Sequence, residues 1–146
     1  MNWCDYYMKL ATTVALKSKD KSTQIGCVIV GPDHEIRSTG YNSFPRGIND
    51  NIDARQERPE KYFWFEHAER NAIYNAARMG TSLQGCALYI PWFPCIDCAR
   101  AIVQSGIVNL HCHAPDLEDK RWGPSFTRAL TLLGEAGVQV VYASAP

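Results

Sequence analysis

From His67 to Tyr142 the chain alternates helical and extended runs, and this alternation restricts its fold more than any other feature. Helices are predicted over 67–78, 95–105 and 124–135, each followed closely by Gly80, Gly106 or Gly137. A glycine just past a helix supplies the left-handed residue that closes it. Short apolar runs at 86–92, 108–113 and 138–142 read as the intervening strands. A strand that leads through a helix to the next strand crosses over right-handed, which makes successive strands parallel and buries the sheet beneath helices. Upstream, Tyr7, Leu10, Ala11 and Val14 form one stripe of a helix over 4–17. Runs at 23–30 and 35–41 flank the turn cluster Gly31-Pro32-Asp33 and predict an antiparallel hairpin. The expected architecture is α/β: a five-stranded mixed sheet in a three-layer α/β/α sandwich, forming one domain over residues 1–146.

Fifteen Lys and Arg balance fifteen Asp and Glu. Proteins that grip a long phosphate backbone carry a basic surplus, so the balance favours a small substrate and no nucleic-acid polymer. No basic segment followed by an apolar run opens the chain, and the run around Cys27-Val28-Ile29-Val30 is too short to span a bilayer. Six cysteines without a secretory context read as reduced thiols in a cytoplasm.

Two of the predicted helices open on residues that carry chemistry: His67-Ala68-Glu69, and Pro94-Cys95-Ile96-Asp97-Cys98. Cysteines three apart project from nearly the same helix face. With one imidazole, Cys95 and Cys98 make a three-ligand set suited to Zn²⁺, leaving a fourth position for water, as in catalytic zinc sites. Glu69 lies two residues from His67, off the ligand set, and can reach the same point only if the metal lies beyond the helix end. There it would carry protons. The long polar stretch from Ser43 to Lys61 contains Arg46, Arg55, Arg58 and Lys61, and a segment of this length inside a compact domain is often functional. Trp122, in the loop after the fourth strand, stands at the expected rim of an α/β site. Cys27, Cys86 and Cys112 fall in apolar strands and read as buried packing. His111 and His113 share a strand face without a complete ligand set.

The pattern H-x-E…P-C-x-x-C resembles the signature of zinc nucleobase deaminases, in which water replaces an exocyclic amine on a ring carbon. The flanks resemble the deoxycytidylate (dCMP) deaminase family over about residues 5–143. The likeness is carried by Thr39-Gly40-Tyr41-Asn42-Ser43-Phe44-Pro45-Arg46-Gly47, Lys61-Tyr62, His67 to Ile73, and Trp92-Phe93-Pro94-Cys95. This resemblance implies a cytidine deaminase-like fold, conversion of dCMP to dUMP, and a homo-oligomer, either hexamer or dimer. It implies that Asn42 bonds the deoxyribose and that the Ala68 backbone meets the pyrimidine edge. The cationic insertion then reads as a clamp for one phosphate, led by Arg46 and Arg58, with Trp122 stacking on the base. Two positions depart from the family: Trp122 where a tyrosine is usual, and Ser43 where Gly-Tyr-Asn-Gly would place a glycine linked to dCTP and dTTP control. Deamination of CMP, dCTP or a free base, editing of tRNA or DNA, and non-catalytic nucleotide binding remain alternatives.

Overall fold

The computed structural model describes residues 1–144 of the 146. Its sheet has the order β2-β1-β3-β4-β5. Strand β1 (Gly26–Val30) pairs antiparallel with both β2 (Ile36–Tyr41) and β3 (Ala87–Ile90). Strands β3, β4 (Asn109–Cys112) and β5 (Gln139–Tyr142) run parallel, aligned Leu88–Leu110–Val140. The two expected devices, a hairpin and successive crossovers, meet where β1 pairs with β3, so the sheet is mixed.

The period of two along β1 assigns its residues to opposite layers. Val28 and Val30 join Tyr7 and Ala11 of helix α1 (Trp3–Ala15), together with Tyr89. Cys27 and Ile29 face a larger core with Leu88, Ile90, Leu110 and Cys112. That core is closed by helices α3 (Ala68–Met79), α4 (Ile96–Gln104) and α5 (Gly123–Glu135), through Ala72, Ala76, Ala99, Ile102, Ala129 and Leu133. Gly80 at φ 70° closes α3 in the left-handed conformation.

Two expectations are adjusted. The first strand begins at Gly26, because Thr23 and Ile25 give backbone groups to the Asn42 side chain. The insertion also has structure of its own: a 3₁₀ turn at Asp53–Gln56 and a one-turn helix α2 at Lys61–Trp64.

Helix α3 lies so close to β2 that a Cβ on Gly40 would collide with the Ala72 nitrogen and the Ala68 carbonyl oxygen. Both are backbone atoms, so neither can rotate away. The Ser38 hydroxyl donating to Ala72 O (2.6 Å) and the Cys27 thiol donating to Ala68 O (3.2 Å) pin the same helix to the sheet. Gly40→Ala is therefore expected to destabilise the protein by about 1–3 kcal/mol, as overpacking does. A lowered urea midpoint at unchanged slope would show it; an unchanged midpoint would mean that α3 can shift freely.

Candidate active site

Helices α3 and α4 bring their N-termini together. His67 is the N-cap of α3, extended at φ −84°, ψ 154°, and Cys95 is the N-cap of α4 at φ −69°, ψ 170°. Neither side chain caps its own helix, so both remain available to a ligand. The loop after β3 delivers Cys95, and the loop after β4 delivers Trp122. Both loops leave the carboxyl ends of parallel strands, where α/β sheets place their sites. Ser125 accepts from the Ile96 amide and Asp119 accepts from the Trp122 amide, which secures α4 and the Trp122 loop.

His67 Nδ1 lies 3.4 Å from Cys95 Sγ and 3.5 Å from Cys98 Sγ. All three ligand atoms fall within 4.8 Å of one another. Zinc bonds of about 2.0–2.1 Å to nitrogen and 2.3 Å to sulfur, at the tetrahedral angle, require N···S separations of about 3.6 Å. The donor spacing therefore fits zinc. Protonation fits as well: hydrogen bonds from Cys98 and His67 pull the Cys95 thiol down to about 4, against its burial. The same pairing with Cys95, together with burial, pushes the Cys98 thiol up. The lowered thiol pKa of Cys95 favours the thiolate, which is the ligating form. Among the described residues, His67, Cys95 and Cys98 are the only such group of three. His111 stacks instead on Tyr89, with ring centroids 4.3 Å apart.

Glu69 is 4% exposed and lines the same pocket as His67, Ala68 and Cys95. Burial pushes its carboxyl pKa up, although the adjacent His67 ring acts in the opposite direction. A carboxyl so placed can hold a proton or release it, as a proton carrier must. Ala68 is the first residue of α3, and the geometry of a helix leaves its N–H without an intrahelical partner.

The pocket also gathers Asn42, Arg58 and Trp122, with Trp122 edge-on to His67 at 6.1 Å between ring centres. Arg46 does not join them. Its Nη2 donates to Asn75 Oδ1 (2.6 Å), and it lines a separate hollow with Tyr41, Ser43 and Tyr74. Arg55 lies over the Trp64 ring at 3.7 Å and bonds the Asn49 carbonyl. Asn42 is nearly saturated: Nδ2 donates to Asp20 and to the Thr23 carbonyl, while Oδ1 accepts from the Ile25 amide.

Lys61, which reads in the sequence equally as a minor phosphate-clamp cation and as a solvated loop residue, is buried. Its ammonium donates to both Asp20 carboxylate oxygens, at 3.0 and 2.9 Å, and to Ser22 Oγ at 2.9 Å. Asp20, Thr23 and Ile25, from the segment before β1, complete this wall. Nothing in their sequence marks them, since a lone aspartate before a strand is ordinary. Tyr62 and Phe65 of the insertion also line the pocket. Tyr62 has a sequence cue in the Lys61-Tyr62 pair.

Residues 1–114 match the model of the cytidine and deoxycytidylate deaminase zinc-binding region. The chain belongs to this family. It is 38% identical to the deoxycytidylate deaminase of Homo sapiens over 143 residues, 94% of this chain and 78% of the human protein. A deaminase from the luxG 3′ region of Aliivibrio fischeri is also 38% identical, covering 96% of this chain and 92% of that one. Among solved structures, the dCMP deaminase of cyanophage S-TIM5 in complex with dCMP and dUMP superposes with a TM-score of 0.77. Its identity is 25%, and 95% of each chain is covered. The family's zinc-binding region spans His67, Cys95 and Cys98, a group of three whose ligand atoms are positioned for metal binding. No helix among the described residues is long and apolar enough to cross a membrane.

Proposed function

We propose that this chain converts dCMP and water to dUMP and ammonia. The observation that carries the proposal is one pocket lined by His67, Cys95, buried Glu69 and Arg58, with Cys98 within ligand distance of His67 and Cys95. The human and cyanophage relatives, both named for dCMP, support it.

His67, Cys95 and Cys98 would hold zinc, which when bound would supply a nucleophilic water with its pKa lowered to about 7. Glu69 manages the protons. It takes one from water and delivers it to ring N3 as the new C4–O bond forms. It then carries the second to the exocyclic nitrogen as the C4–N4 bond breaks, and ammonia leaves with carbonyl formation at C4. The Ala68 amide meets the pyrimidine edge, and Trp122 stacks on the ring. Because both Asn42 amide hydrogens are engaged, its Oδ1 serves the sugar as an acceptor from a hydroxyl. We assign the phosphate to Arg58 rather than Arg46, because Arg46 is tied to Asn75 outside the pocket. We place the enzyme in the cytoplasm as a homo-oligomer, hexamer or dimer. The free thiols of all six cysteines support the first part, and family likeness supports the second.

The test is ammonia release by zinc-loaded protein from dCMP, compared with CMP, cytidine and dCTP. Preferential turnover of dCMP is expected, and no turnover of any cytosine nucleotide would overturn the assignment. Arg58→Ala is expected to raise KM for dCMP about 10–100-fold, the worth of charge-assisted hydrogen bonds to one phosphate. An unchanged KM would place the phosphate elsewhere.

A further inference from the structure

Arg58 lies in an exposed part of the insertion, so packing alone does not fix its guanidinium. Two hydrogen bonds direct it. Its Nε donates to the Tyr62 hydroxyl at 2.8 Å, and its Nη2 lies 3.4 Å from Ser22 Oγ. Tyr62, itself 40% exposed, sets its ring edge-on to Trp122, with centroids 5.9 Å apart and planes at 89°. Trp122 in turn stands edge-on to the zinc ligand His67. A continuous line of contacts therefore runs from the reaction centre, through Trp122 and Tyr62, to the cation at the pocket wall.

We propose that Tyr62 is a positioning residue that sets the preference for a 5′-phosphorylated substrate by holding Arg58 at a defined distance from the reacting ring. The inference rests on the reading of this site as a dCMP deaminase with Arg58 as its phosphate ligand. The chemistry follows from the donor inventory of arginine. With Nε–H committed to Tyr62 and one Nη2 hydrogen to Ser22, three of the five N–H groups of the fork stay free, enough for two phosphate oxygens. A long exposed side chain otherwise loses much of its rotamer freedom on binding, and a hydrogen bond made beforehand removes part of that loss. The edge contact with Trp122 registers the base wall against the phosphate cation, so a nucleoside monophosphate engages both while a nucleoside engages only the first.

Tyr62→Phe separates these functions, because it keeps the ring beside Trp122 and deletes only the hydroxyl. The measurement is kcat and KM for dCMP and for deoxycytidine in the parent, Tyr62→Phe, Arg58→Ala and the double variant. Tyr62→Phe is expected to lower the dCMP-to-deoxycytidine ratio of kcat/KM by about 3–10-fold, the worth of one hydrogen bond, with the loss in KM. Added to Arg58→Ala, it should lower that ratio no further, since its effect passes through Arg58. A proportional fall for both substrates, or a full effect persisting without Arg58, would overturn the inference. Failure of the parent itself to turn over dCMP would overturn the functional reading beneath it, and that outcome is visible before any variant is made.

Discussion

Glu69→Gln is expected to lower kcat about 10²–10⁴-fold, the usual contribution of a positioned acid–base group, while the protein keeps its full zinc content. The side chain is almost completely buried and stands outside the ligand set. Glutamine preserves its volume and hydrogen-bonding shape but cannot take a proton from water or give one to the ring. Loss in kcat without loss of metal therefore separates proton transfer from zinc binding. Steady-state ammonia release and elemental analysis of the same sample check both parts. Near-parental turnover would show that another group moves the protons, and loss of zinc would make Glu69 a partner of the metal site instead.

Lys61→Met is expected to destabilise the protein by about 3–5 kcal/mol, the usual effect of leaving one member of a buried ion pair alone. The side chains of Lys61 and Asp20 are only 7% and 6% exposed, and the pair joins the insertion to the segment before β1. The double variant Asp20→Leu, Lys61→Met should recover most of that loss, because two apolar groups leave no charge stranded. The pair also has a signature in acid. Burial alone would push the Asp20 carboxyl up, but the Ser22 amide, the Lys61 ammonium, the Ser22 hydroxyl and the Thr23 amide together bring it below its ordinary value. A carboxyl lowered by folding contributes stability that is complete above its unfolded pKa, about 3.9, and is lost as pH falls through the folded value. Urea midpoints of the parent should fall below about pH 4 by a component that the double variant lacks. Parallel curves for the two proteins would show that the pair contributes nothing through ionisation.

How far the site was legible in the sequence differs from residue to residue. His67, Glu69, Cys95 and Cys98 are readable because their chemistry depends on short spacings and on helix starts, and both are local. The same locality explains why the hairpin and the crossovers are predicted together with the mixed sheet. Arg46 and Arg58 show the opposite case. Twelve residues apart in one polar insertion, they are equivalent in the sequence, yet Asn75 on α3 draws one away while Tyr62 and Ser22 hold the other at the pocket. Lys61 and Asp20 are less legible still, since each is an ordinary surface residue by type and they meet across forty-one positions.

The amino-acid sequence by itself determined the order of the main strands and helices and singled out His67, Glu69, Cys95 and Cys98, which the fold brings to one place, because periodicity and i to i+3 spacing act within one or two turns. Tertiary structure alone decided that Arg58 and not Arg46 lines the pocket, that both amide hydrogens of Asn42 are engaged, and that Lys61 is paired with Asp20. Those outcomes depend on which side chains from distant segments the fold places beside a matching donor, acceptor or charge, and that pairing is set by long-range contacts that no local spacing encodes.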